Sequence, residues 1–198
     1  MKTNKWQAKI FLAGAAPLPS RGIVEVFHRW IQTRRLPHVL IDVADYTHVW
    51  QGPGVQLIGH EADVGVEETD GRWGLVFARK RGACLPAAVS LAHVVGLALQ
   101  AAQWLQNEPE LEGLLHFRGD EVAVRINDRL AAPHEEASLA VLERAAREFF
   151  VKLYGGPVSL QRERDQRKRC GVRVFSPVEA SLATLLARLP DGEVPHAA

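Results

Sequence analysis

Residues 41–63 read IDVADYTHVWQGPGVQLIGHEAD and bring Asp42, Asp45, Tyr46, His48, His60, Glu61 and Asp63 into one short stretch. Carboxylate oxygens suit hard divalent cations, and imidazole mixed with carboxylate suits zinc or iron. Asp42, Asp45, His48 and His60 are therefore the candidate metal ligands. Asp42, Asp45, Tyr46 and His48 are the candidate catalytic groups, with a carboxylate or histidine as general base in a metal-assisted hydrolysis. The order matches none of the HExxH, Walker A, GxGxxG or GxSxG patterns whose spacing implies a defined chemistry. A plainer account competes with it. Asp45 makes an Asx-turn, Gly52-Pro53-Gly54 is turn chemistry, and His60 is a hydrogen-bonded core histidine on the strand face of Ile58 and Val64. Glu61 falls on the other face of that strand, so it joins His60 only if the strand bulges.

Other groups are weaker candidates. His93, on an apolar segment, and His116 would meet in a polar pocket over a sheet, and His28 has Glu25 and Gln32 on its own helix face. The run RERDQRKR at 162–169 gathers Arg162, Arg164, Arg167, Lys168 and Arg169, enough to touch phosphates. Glu163 and Asp165 interleave with them and no aromatic is present to stack a base, so a solvated hairpin tip is expected and nucleic-acid binding is not. Arg118-Gly119-Asp120 is read as a turn, without an adhesive role.

The elements that must hold these groups follow from periodicity. Residues 6–14 form a first strand, in which Lys9 interrupts the apolar run that a signal peptide needs. Ile23, Val26, Phe27, Trp30 and Ile31 recur at helical spacing over 20–35, ending before Pro37. HVLIDV at 38–43 is nearly all apolar and β-branched, the pattern of a strand buried on both faces at the centre of a sheet. Asp42 would then lie at its carboxyl end, with Asp45, Tyr46 and His48 on the loop beyond, where sheets often hold ligands. From Val55 to Val66 strict alternation predicts one strand, turned at Asp70-Gly71 into a return strand carrying Trp73, Leu75 and Phe77.

The segment 86–105 is apolar almost all round. Its length and the flanking Arg79, Lys80 and Arg81 resemble a membrane span, but its alanine content and polar stripe favour a helix buried in soluble protein or shared across a dimer. A hairpin is expected over 114–128 with its turn at Gly119-Asp120. A second helix is expected over 133–154, with Leu139, Leu142, Ala146, Phe149 and Leu153 inward, then strands at 158–164 and 171–175. A last helix is announced by Ser176-Pro177-Val178-Glu179.

The class is α+β: a mixed, antiparallel-rich sheet with helices mainly on one face. The expected unit is a single domain over 1–190, with a tandem pair of split βαβ-like halves, 1–84 and 85–177, as the alternative, and a loose tail at 191–198. With 24 Lys and Arg against 23 Asp and Glu, the net charge of +1 gives no global field toward polyanions or acidic membrane. Cys84 and Cys170 form no CxxC pair and suit a reducing cytoplasm. The chain is expected to be a soluble cytoplasmic binding or accessory protein. It would associate with itself, as a homodimer, or with another protein through the apolar helix or an open sheet edge. A small enzyme using the 42–61 site with a divalent metal is the alternative.

Overall fold

The computed structural model describes residues 3–14 and 18–189. In chain order the elements are β1 (Trp6–Leu12), α1 (Ser20–Gln32), β2 (Leu40–Tyr46), β3 (Gly54–Gly59), β4 (Ala62–Glu67), β5 (Gly74–Arg79), α2 (Ala87–Gln106), β6 (Phe117–Ile126), α3 (Glu136–Tyr154), β7 (Ser159–Arg162), β8 (Gly171–Phe175) and α4 (Leu182–Ala187). The strands make one eight-stranded sheet in the order β2-β3-β4-β5-β1-β6-β8-β7. Every pairing in it is antiparallel. The α+β class is as the sequence implies, and the sheet contains no parallel pair among the described residues. The expected tail at 191–198 lies outside them.

Alternation along the strands sorts side chains onto two unlike faces. Trp6, Ala8 and Ile10 of β1, Val64 and Val66 of β4, and Val122, Val124 and Ile126 of β6 join one core with the buried residues of the helices. Against that face α1 packs Ile23, Val26, Phe27 and Trp30, at the spacing that a helical stripe requires. Helix α3 buries Leu139, Leu142, Ala146, Phe149 and Leu153 as expected. Helix α2 lies over β1 and β5 and touches α3 and α4, so its apolar surface is consumed inside the fold. It is the only helix among the described residues long and apolar enough to cross a membrane, and most of it is buried. That is compatible with a soluble protein.

Several expectations are corrected. The HVLIDV strand is not central: β2 is an outer strand of the sheet, and Val39 and Ile41 are 68% and 57% exposed. An apolar run reports affinity for burial and does not say that neighbours exist on both sides. The single strand expected from Val55 to Val66 is a hairpin, β3 and β4, turning at His60-Glu61 with Val55 paired to Val66 and Leu57 to Val64. Gly59 at the end of β3 permits that tight turn, since a Cβ there would meet the Ala62 carbonyl, and Leu57 is buried with Val64. The turn expected at Gly119-Asp120 is absent, because β6 continues through both residues, with only a register irregularity against β1 between Phe117 and Val122. A Cβ at Gly119 would collide with the carbonyl of Ala180, so this glycine permits close approach of two backbones. The last helix begins later than expected, at Leu182, where the Ser181 hydroxyl accepts from the Thr184 N–H at 3.1 Å.

Candidate functional site

The polar residues between 41 and 63 are dispersed over a rim of the sheet. Asp42 is exposed on β2, and its Oδ1 accepts the N–H of Val43 at 2.8 Å. Asp45 Oδ1 accepts the Thr47 hydroxyl at 2.7 Å and the Thr47 N–H at 2.9 Å, an Asx-turn that holds its carboxyl below the usual value. Tyr46 and His48 are exposed. His60 sits in the β3–β4 turn with its Nε2 2.8 Å from Arg81 Nη1, so the imidazole nitrogen accepts and the guanidinium donates. Asp63 accepts from Lys80 Nζ at 2.6 Å and from the Gly59 N–H at 3.1 Å. Among the described residues, no group of three or more His, Cys, Asp or Glu is placed to hold a metal ion. Asp42, Asp45, His48 and His60 are therefore not gathered into the mixed ligand set expected of them. The physical reason is the antiparallel pairing of β2 with β3: Tyr46 lies opposite Gly54 and Leu40 opposite Gly59, so the loop after Tyr46 and the His60 turn fall at opposite ends of the ladder.

His93 lies beside His38, not beside the His116 expected of it. Its ring and that of His38 both stand edge-on to Phe77, at centroid distances of 6.3 and 6.0 Å. Burial pulls both imidazoles below their ordinary value, so each is neutral near pH 7. His116 and His28 are exposed. Cys84 is exposed and Cys170 buried, both as free thiols.

What the structure brings together instead lies on the sheet face that carries no helix. There, Lys9 of β1 is fully buried, with Nζ donating to Asp70 Oδ1 at 2.5 Å and to the Arg72 carbonyl at 2.8 Å, and Glu67 Oε1 at 3.5 Å. Arg125 of β6 donates to the other oxygen of Asp70 at 2.7 Å. Arg72 pairs with the buried Glu121 at 2.7 Å, and Arg173 of β8 stands 3.7 Å from Asp70 and 3.8 Å from Glu121. The guanidinium groups of Arg72 and Arg173 also cover the ring of Phe11, 4.4 and 5.3 Å from its centroid. Phe11 is thereby fully buried although it faces away from the main core. Glycine admits the network at one point: a Cβ at Gly74 would sit 2.8 Å from Lys9 Cε, so the lysine stem crosses β5 where a side chain is missing.

Sequence reasoning missed Lys9, Glu67, Asp70, Arg72, Glu121, Arg125 and Arg173 as a group. The available signal was the alternation itself, since Gln7 and Lys9 interleave with Trp6, Ala8 and Ile10 in what proves to be an inner strand.

Burial would raise the Asp70 carboxyl, but Lys9 and Arg125 outweigh it and hold the group down at about 2, against an ordinary value of 3.8. A carboxyl whose folded value is depressed stabilises the fold fully above its unfolded value, and this contribution disappears as pH falls through the folded value. Ionised Asp70 should therefore contribute on the order of 2 kcal/mol at neutral pH, lost progressively between about pH 4 and 2. Denaturant unfolding of the wild type and Asp70→Asn across that range is expected to show the gap between them narrowing as acid is added. A gap independent of pH would mean that the carboxylate is not the source.

No protein-family model, curated protein or solved structure matches the chain.

Proposed function

We propose that this is a binding protein that recruits an extended segment of another polypeptide by strand addition along β2. The observation that carries it is the character of that edge. β2 is one of the two outer strands and leaves one row of backbone donors and acceptors without a strand partner. Around it Val39, Ile41, Tyr46, Val49 and Trp50 are all exposed, Trp50 at 84%. Clustered apolar exposure beside an unpaired strand edge is what β-augmentation uses: backbone bonds supply affinity and alternate side chains supply selectivity. The opposite edge, β7, spans only Ser159–Arg162 and engages its arginine with Glu136 and Glu143, which makes it a poorer template.

Charge narrows the partner. β2 carries Asp42 and Asp45 among its apolar residues. A second copy lying antiparallel on β2 would bring these carboxylates close to their own counterparts, an unfavourable opposition. A segment that alternates apolar residues with lysine or arginine would neutralise them. The free, exposed Cys84 suits a reducing compartment such as the cytoplasm.

A synthetic peptide alternating valine and lysine is expected to bind the full chain, and its acidic counterpart, alternating valine and glutamate, to bind far more weakly. Ile41→Lys puts a cation on the exposed edge without touching the core, and it should lower affinity for the basic peptide about tenfold or more while leaving the unfolding midpoint unchanged. Sedimentation of the unliganded chain separates the self-association arm, in which a concentration-dependent dimer abolished by Ile41→Lys would replace the hetero-partner. A monomer at all concentrations that also ignores both peptides would rule out the β2 edge as a docking strand.

A further inference from the structure

We propose that a cleft at the far end of the sheet from β2 binds a compact phosphate-bearing anion. It lies where the open faces of β6 and β8 meet the connection between β7 and β8. Its volume is about 210 Å³, and Arg125, Arg162, Arg164, Lys168 and Arg173 line it against a single carboxylate, Glu163. In a chain whose formal net charge is +1, five cations around one small cleft are a local concentration that the composition does not suggest.

Not all five are free to receive a ligand, and the distribution matters. Arg162 is committed to Glu136 and Glu143, at 2.8 and 2.7 Å, and Arg125 to Asp70 at 2.7 Å. Lys168 has Glu163 only at 3.5 Å. Arg173 reaches its carboxylates only at 3.7 and 3.8 Å, longer than a hydrogen bond. Among the described residues, Arg164 forms no side-chain ion pair, although its backbone N–H donates to Glu163 at 3.0 Å. Arg164, Lys168 and Arg173 thus keep donors in reserve around one space, and an oxyanion would collect them in charge-assisted hydrogen bonds.

The floor of the cleft is built for close approach. Ala123 stands opposite Arg173 across the β6–β8 ladder, and Gly171 stands opposite Arg125. A Cβ at Gly171 would lie 2.9 Å from Arg125 Cγ, so the glycine leaves the guanidinium-bearing stem flat on the sheet. Small residues alternating with arginine on neighbouring strands place the guanidinium groups beside a hollow instead of a wall. Arg125 is anchored from behind by the buried Asp70, itself shared with Lys9, so one side of the cleft is fixed before any ligand arrives.

Size and chemistry select the occupant. Pockets for drug-sized organic ligands run to roughly 300–1,000 Å³ and are mostly apolar, whereas this cleft is smaller and mainly cationic. No aromatic side chain lines it, so it lacks the stacking platform that a single nucleic-acid strand uses. A phosphate or diphosphate group, free or at the end of a small molecule, matches both constraints.

Calorimetry of the full chain at near-physiological salt tests this with inorganic phosphate, pyrophosphate and a short DNA duplex as separate titrants. Pyrophosphate is expected to bind more tightly than phosphate, with a dissociation constant below about 1 mM. The Arg164→Ala/Lys168→Ala double variant, altered only at exposed positions of the connection, should weaken it about tenfold or more with unchanged circular dichroism and unfolding midpoint. Arg21→Gln, which removes an exposed cation on α1, should leave binding intact. Absence of heat with both phosphates, or affinity undiminished in the double variant, overturns the proposal. Duplex binding in preference to pyrophosphate overturns it in favour of a nucleic-acid surface.

Discussion

Asp70→Ala is expected to destabilise the fold by about 3–5 kcal/mol, the loss typical of a buried charge left without its partner. The Lys9 side chain has no exposed surface, and its shortest contact to a carboxylate is the 2.5 Å bond to Asp70. Glu67, 3.5 Å away, would remain as a weaker counter-ion. Arg125 would lose the same carboxylate, so a single deletion strands two cations on one face of the sheet. The asymmetry of the pair supplies the control. Lys9→Met removes the buried charge and keeps a long apolar stem over Gly74, while Asp70 retains Arg125 at 2.7 Å. Its cost should stay below about 1.5 kcal/mol, and Lys9→Met/Asp70→Asn should recover most of what Asp70→Ala loses. Urea unfolding of the four proteins measures all of this. An Asp70→Ala midpoint equal to that of the wild type would show that the network contributes nothing to stability.

Gly119→Ala is expected to lose about 3 kcal/mol and to lower Tm by roughly 6–12 °C. The cause is steric, since the added methyl meets the backbone carbonyl of Ala180, which no side-chain rotation can relieve. Either β6 bows away from its neighbours β1 and β8, or the segment leading into α4 lifts, exposing Leu182 and Leu185. Gly71→Ala is the useful comparison. Gly71 has a positive φ of +77° in the β4–β5 hairpin, with only the Gln51 side-chain nitrogen near at 3.9 Å. Its substitution should cost about 1–2 kcal/mol, the backbone penalty alone. Thermal unfolding of both variants distinguishes the roles: were Gly119 a turn residue, as the Gly-Asp pair suggests, the two losses would be alike.

Those two glycines show how far local pattern reaches. Asp70-Gly71 is a turn, and it was legible because the φ > 0 requirement is a property of a few consecutive residues. Gly119-Asp120 has the same chemistry in the sequence, yet its glycine answers to Ala180, more than fifty positions later. Nothing within a short window distinguishes the two. The same limit applies to the polar stretch at 42–63. Its Asx-turn at Asp45 and Thr47 was readable, being local. Whether His48 and His60 converge depended on how β2 pairs with β3, and the antiparallel register puts them at opposite ends of that ladder.

The amino-acid order alone determined the α+β class, the inward stripes of α1 and α3 and the places of most strands, because each rests on the 3.6- or 2-residue repeat of a backbone whose side chains must choose between solvent and core. It also determined the interior character of α2, through apolarity all round the helix. Tertiary structure alone decided strand order, and with it which polar groups meet. Lys9, Asp70, Glu121, Arg125 and Arg173 come from four separate parts of the chain, and only the adjacency of β1, β5, β6 and β8 makes them one network. Pairing between distant strands depends on the combined burial of the whole sheet, a global quantity, so the open β2 edge and the cationic cleft came into view only once the sheet was assembled.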